Sequence, residues 1–295
     1  MKRKLNILLG AIFALILASA AQAGPYAPAA GEDGSTAVSM DDASIKGWAT
    51  GYTNLVYGEF VDSTWKTPEK ALGAATGEYT DIVSLGRGGR ITLTFSPAVV
   101  TNGEGFDFAI FENSTIPGFF ELAYVEVSSD GVNFVRLPND SLTAGPVGAY
   151  ENSMDPTNID GLAGKYIVGY GTPFDLDSVL TSTAVTSGTV DLSSIKYVRL
   201  VDIVGDGTYL DSSADVIYDP YATIGSAGFD LEAAGYMNYF VGGDLNLDDK
   251  LDMTDAVLAL QTLAGAPASV SLSHDADGKI TLADVLFALS RLAEQ

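Results

Sequence analysis

There is no cysteine in this chain and only one histidine, His274. Without cysteine the fold cannot rely on disulfides, even in a compartment that permits them. With the lone histidine near the C-terminus, a Ser-His-Asp triad, a Cys-His pair and a His-ligated zinc site are all excluded from the body of the chain. Cations are also scarce: 15 Lys and Arg stand against 38 Asp and Glu, for a net charge of −23. So acidic a surface repels phosphates, which argues against nucleic acid and against anionic membranes. Beyond the N-terminus no apolar run is long enough to span a bilayer, so no stable membrane span is expected.

The acidity is not spread evenly. Asp244 to Asp255 reads D-L-N-L-D-D-K-L-D-M-T-D. Oxygen-bearing side chains fall at loop positions 1, 3, 5, 9 and 12: Asp244, Asn246, Asp248, Asp252 and Asp255. That is the spacing of an EF-hand type calcium loop, in which alternate residues point inward and a carboxylate closes the loop. Leu251 at position 8 is the apolar residue that pairs with a partner loop. A helix is expected over Thr254–Ala264, with Val257, Leu258, Leu260 and Leu263 as its apolar stripe and Gly265 as its stop. The unit recurs 29 residues on, where Asp248, Lys250, Leu251, Asp255, Ala259 and Leu260 match Asp277, Lys279, Ile280, Asp284, Ala288 and Leu289. Two such units can each bury the other's stripe.

On these motifs, residues 239–295 resemble a dockerin, the paired calcium loop–helix module of bacterial secreted and cell-surface proteins. The resemblance implies calcium ligands at Asp244, Asn246, Asp248, Asp252 and Asp255 in the first loop. In the second it implies Ser273, Asp275, Asp277, Thr281 and Asp284. Position 7, Lys250 or Lys279, serves through its backbone carbonyl. It also implies a cohesin-like or other cell-surface protein as partner. The departures are specific. Asp249 replaces the usual Gly at position 6, and Ser273 removes a charge from the second site. Met253-Thr254 and Leu282-Ala283 stand where the family often has the Ser-Thr pair that reads the partner.

Residues 1–23 read as a secretory signal: Lys2, Arg3 and Lys4, an apolar stretch over Leu8–Ala20, and Ala21-Gln22-Ala23 as a cleavage site. The expected location is therefore exported: extracellular, at the bacterial cell surface or periplasmic. Residues 24–40 are small and polar and read as a linker. Residues 41–238 read as all-β. Ile91–Phe95 alternates strictly. Gly105–Glu112 sets Phe106, Phe108 and Ile110 on one face, with Asp107, Ala109 and Phe111 on the other. Glu121–Ser128 and Asn133–Leu137 form a hairpin through Ser129-Asp130-Gly131. Lys196–Val204, Gly228–Ala233 and Tyr236–Phe240 supply further strands, and Pro68–Ala75 a short helical turn. The expected fold is an antiparallel, jelly-roll-like β-sandwich followed by a small all-α module.

Phrases such as Phe106-Asp-Phe-Ala-Ile-Phe-Glu-Asn113 and Val201-Asp-Ile-Val-Gly-Asp-Gly207 resemble those of uncharacterised bacterial cell-surface proteins. The Val125–Val135 hairpin is similar to that of discoidin-like, galactose-binding sandwiches, which is a mark of fold rather than a sugar site.

Chemistry in the body would have to use carboxylates. Asp107, Glu112, Glu121 and Glu126 are candidates by type for a glycosidase pair, and the spacing selects none of them. Asp202, Asp206, Asp211, Asp215 and Asp219 cluster between two strands, where either a calcium site or a solvated acidic loop fits; Asp202 lies in an apolar strand and would need a partner if buried. Trp48, Tyr52, Tyr57 and Trp65, with Tyr166, Tyr170 and Phe174, either stack on sugars or, favoured here, pack the ends of the sandwich. The expected function is a non-catalytic, exported binding or assembly protein that uses calcium and recognises polysaccharide. Two alternatives stand beside it: a secreted polysaccharide-active hydrolase carrying a dockerin, and a matrix protein whose calcium module only stabilises the sandwich.

Overall fold

The computed structural model describes residues 23–248, 250–266 and 279–293. Most of the segment expected to be a signal, Asp249, and the second-loop residues Ser273, Asp275 and Asp277 lie outside the described residues. In chain order the strands are β1 Val38–Ser39, β2 Gly47–Trp48, β3 Gly51–Val56, β4 Val83–Ser84, β5 Arg90–Thr94 and β6 Ala98–Val100. There follow β7 Phe108–Glu112, β8 Ala123–Ser128, β9 Val135–Arg136, β10 Asp140–Ser141, β11 Val147–Gly148, β12 Ile159–Asp160 and β13 Tyr170–Phe174. The chain closes with the short α1 Thr183–Thr186, then β14 Tyr197–Asp202, β15 Pro220–Tyr221, β16 Asp230–Tyr236, β17 Tyr239–Val241, α2 Met253–Leu263 and α3 Leu282–Ala293.

The protein is mainly β, and its two large sheets are antiparallel. One runs β1-β13-β7-β16-β2, with β4 also on β16; the other runs β3-β5-β14-β8-β9. They share one core. Phe108, Ile110, Phe174 and Leu231 of the first sheet pack in the same cluster as Ile91, Leu93, Val125, Val198 and Leu200 of the second. Each of these side chains removed from water contributes about 2 kcal/mol, which is why the alternating runs choose this face.

The first sheet is covered on its other side as well. Ala109, Phe111 and Ala233 lie buried under Val38, Ile45, Trp48 and Met237, so every residue of β7 is buried. The coverage explains why the stretch 108–111 is apolar on both faces. Phe106 does not join Phe108 and Ile110; it precedes the strand and is exposed. Residues 24–40 run along the body rather than away from it: β1 pairs with β13, and the Tyr26 amide donates to the Thr157 carbonyl.

The expected hairpin forms, with Glu126 opposite Arg136 and Val127 opposite Val135. Asp130 Oδ1 accepts the amides of Val132 and Asn133, both at 2.8 Å, and Gly131 takes the left-handed conformation at φ 76°. The strands expected at Gly228–Ala233 and Tyr236–Phe240 form with shifted bounds, as β16, which runs on to Tyr236, and as the short β17, which pairs with β6. Among the described residues no helix is long and apolar enough to cross a membrane.

Candidate metal centre

β17 delivers the chain through Gly242 and Gly243 directly into the acidic loop. Asp244 is buried, and its Oδ1 accepts the amides of Leu247 (2.7 Å) and Asp248 (3.3 Å). Asp248 Oδ1 accepts the Lys250 amide at 3.1 Å, and its Oδ2 takes a hydrogen bond from Asn246 Nδ2. Asp255, fully buried, joins the two ends of the loop: Oδ1 accepts the Leu245 amide and Oδ2 the Asp252 amide, both at 2.8 Å. Asp252 in turn caps α2, accepting the Thr254 amide at 2.6 Å, and the hydrogen bonds from Thr254 hold its carboxyl below the usual range. The loop is thus folded around its own carboxylates. An all-oxygen donor set of this kind suits a hard cation such as calcium.

The second unit repeats the closure. Asp284 Oδ2 accepts the Thr281 amide at 2.6 Å and its hydroxyl at 2.9 Å, as Asp255 accepts from Asp252. Thr281 and Asp284 are therefore placed alike with Asp252 and Asp255, 29 residues apart. Among the described residues, no three His, Cys, Asp or Glu side chains gather closely enough to hold a metal ion by themselves. In the first loop the oxygens of these acids are turned onto backbone amides.

Helix α2 forms as expected, but of its expected apolar stripe only Leu258 packs inward, partly buried. Ala256 and Ala259 are buried against α3, whose Val285 and Ala288 face them in the same small clusters. Val257, Leu260 and Leu263 are exposed, as are Leu286 and Leu289 on α3. Small residues let the two helices approach closely, and that close approach turns the larger ones outward.

In the body, two of the four candidate carboxylates prove structural. Asp107 accepts amides from Gly103 and Leu176 and a side-chain bond from Asn238. Glu126 is ion-paired with Arg136 at 2.8 Å and Arg199 at 2.5 Å. Glu112 and Glu121 remain, and the fold brings Asp230 beside them. All three are buried, and Glu112 Oε1, Glu121 Oε1 and Asp230 Oδ1 have no hydrogen-bond partner. Burial first, then the neighbouring carboxylates, drives Glu112 and Glu121 well above the usual range. Burial lifts Asp230 to about 7, against the polar side chains of Ser84, Ser226 and Asn113.

Glu121 and Asp230 line a cavity of about 250 Å³ with Asn113, Ser114, Thr223 and Ser226. Its mouth carries the exposed rings of Tyr79 and Tyr150 and the exposed Ile116 and Ile224. Sequence reasoning did not single out Asp230, Tyr79 or Tyr150. The signal for Asp230 was available, since it is an acid inside an apolar strand, the criterion already applied to Asp202.

The five acids between β14 and β16 do not converge. Asp202 accepts the Phe229 and Gly88 amides at 2.6 and 2.7 Å; burial raises its pKa to about 7. Asp219 accepts the Leu122 amide at 2.5 Å. Asp211 caps Ser141, Ser213 and Asp215, and Asp206 caps Thr208. Of the aromatics, Trp48 packs on Phe111 at 5.3 Å, Phe174 stacks on Phe108 at 5.3 Å, and Tyr166 is buried. The sequence matches no protein-family model and no curated protein.

Proposed function

We propose that this is an exported binding and assembly protein, with a β-sandwich body that recognises polysaccharide and a calcium-dependent, dockerin-like module at residues 239–295. One observation carries this reading. The closures at Asp252–Asp255 and Thr281–Asp284 are alike, and each opens a helix that buries alanines and leaves leucines exposed. Repeated oxygen-rich loops account for a hard cation, and an exposed apolar helix face accounts for a protein partner. That partner is a cohesin-like or other cell-surface protein. Calcium would be held by Asp244, Asn246, Asp248, Asp252 and Asp255, with Lys250 through its carbonyl. The second loop uses Ser273, Asp275, Asp277, Thr281 and Asp284 in the same way, with Lys279 through its carbonyl.

Hydrogen exchange over residues 244–293 of the chain from Gly24, with calcium and with chelator, tests the module. Calcium is expected to slow exchange throughout; identical exchange in both conditions refutes the calcium reading. The same protein on a glycan array tests the body, where binding to no glycan removes the polysaccharide. Turnover of a polysaccharide would favour the hydrolase instead.

A second reading has its own observation. β17 pairs with β6, and Phe287 and Arg291 of α3 line a cleft with Pro97 and Lys196 of the body. A module held this way would serve to stabilise the sandwich. Chelation would then lower the melting temperature of the body, and no partner would be captured.

A further inference from the structure

We propose that the cavity between Glu121 and Asp230 is a second, separate site for a hard divalent cation, calcium by its chemistry. Neutral oxygens of Asn113 and Ser226, with water, would complete its shell.

The argument starts from exposure and pairing. Glu121 is 4% exposed and Asp230 3%; both residues line the cavity, and each has one buried carboxyl oxygen with no hydrogen-bond partner. Glu112, 1% exposed and in the same electrostatic neighbourhood, has another. Unpaired buried acceptors are costly, and unpaired buried charges more so. The usual remedy is a cationic side chain. The ion pairs among the described residues involve Asp81 and Glu126, and none reaches this group. Without a cation the group avoids charge by holding protons; a divalent ion in the cavity would displace them and pair the carboxylates.

The lining decides which cation. Every polar group facing the cavity is an oxygen donor or a side-chain amide; it has no imidazole and no thiol. Such a set selects a hard ion over zinc, copper or iron. Fewer than three carboxylates gather at ligand spacing, so carbonyls, hydroxyls and water must fill the shell. Calcium accepts that irregular mixture more readily than magnesium, which demands near-octahedral geometry. Asp230 lies on β16 of the first sheet, and Asn113 and Glu121 lie in the segment that runs from β7 to β8 of the second sheet, so an ion there would tie the first sheet to the chain entering the second. The site does not depend on the C-terminal module.

The test uses the full chain with the module's loops disabled by Asp244→Ala, Asp248→Ala and Asp284→Ala. Terbium would be added and its emission read through tyrosine excitation, since Tyr79 and Tyr150 stand at the mouth. The expected result is saturable emission that calcium displaces, and a calcium-induced rise in melting temperature of about 5 °C or more. Adding Glu121→Gln or Asp230→Asn should abolish both. In chelator each variant should melt no lower than its parent, because a near-isosteric uncharged amide replaces a carboxyl that burial already disfavours in its charged form; that melt shows the variant is folded. The site is refuted if the loop-disabled chain gives no calcium-displaceable emission, or if emission survives both substitutions. Displacement by an alkylammonium ion but not by calcium would also refute it, in favour of an organic cation.

Discussion

Asp202 shows how one side chain can hold distant segments together and still oppose folding. Its two oxygens clasp the amides of Gly88 and Phe229, so it links the loop before β5 to the start of β16. Burial outweighs those bonds and lifts its pKa to about 7, as it does for Asp230. Between the unfolded value near 4 and that folded value, the native state binds more protons than the unfolded chain. Stability must therefore fall as pH rises from about 4 to 7. In chelator, calorimetry should give a higher melting temperature at pH 5 than at pH 8. Asp230→Asn should flatten this slope, and calcium should recover stability at pH 8 if the cavity binds it. In the C-terminal loop, Asp244→Ala removes the acceptor for Leu247 and Asp248 along with the first ligand. Titration calorimetry should then show loss of the loop's calcium affinity by tenfold or more, while the β-sheet signal in circular dichroism is retained.

Elements followed the sequence where their stabilising bonds are local. The β8–β9 hairpin was legible because Ser128, Asp130 and Gly131 satisfy the turn within about five residues. Gly131 is left-handed, and a Cβ there would meet the Tyr197 ring at 3.1 Å. Gly131→Ala should cost about 1–2 kcal/mol, measurable by urea denaturation. Helix α2 was legible for the same reason, since Asp252 and Asp255 close its capping box. Its buried face was not. Periodicity marks an apolar side but cannot say how near the partner helix comes, and the alanines of α2 and α3 set that distance. Ala259→Leu should therefore destabilise the module by about 1–3 kcal/mol through overpacking. Leu260→Glu, on the exposed side, should leave melting unchanged and abolish capture of a partner in a pull-down with cell-surface proteins.

Over the whole molecule, two sheets that share a core and a short helical pair are connected through β17, and only Gly242 and Gly243 separate that strand from the acidic loop. The formal net charge of −23 counts the buried acids at the cavity as ionised, whereas burial drives Glu112 and Glu121 toward their neutral form. Two calcium sites would separate on a melting curve: one governing residues 239–295, the other the sheets. What the sequence by itself determined is what neighbours along the chain decide: the acidic loop and its repeat, the hairpin, the preponderance of β structure, and the absence of His and Cys chemistry. The tertiary structure alone selected Glu112 and Glu121 from four equivalent-looking acids, brought Asp230 to them, and consigned Asp107 and Glu126 to structural bonds. The reason is physical. A carboxylate's role depends on burial and on what shares its burial, and Glu121 and Asp230 are far apart in the chain and meet only when the sheets pack.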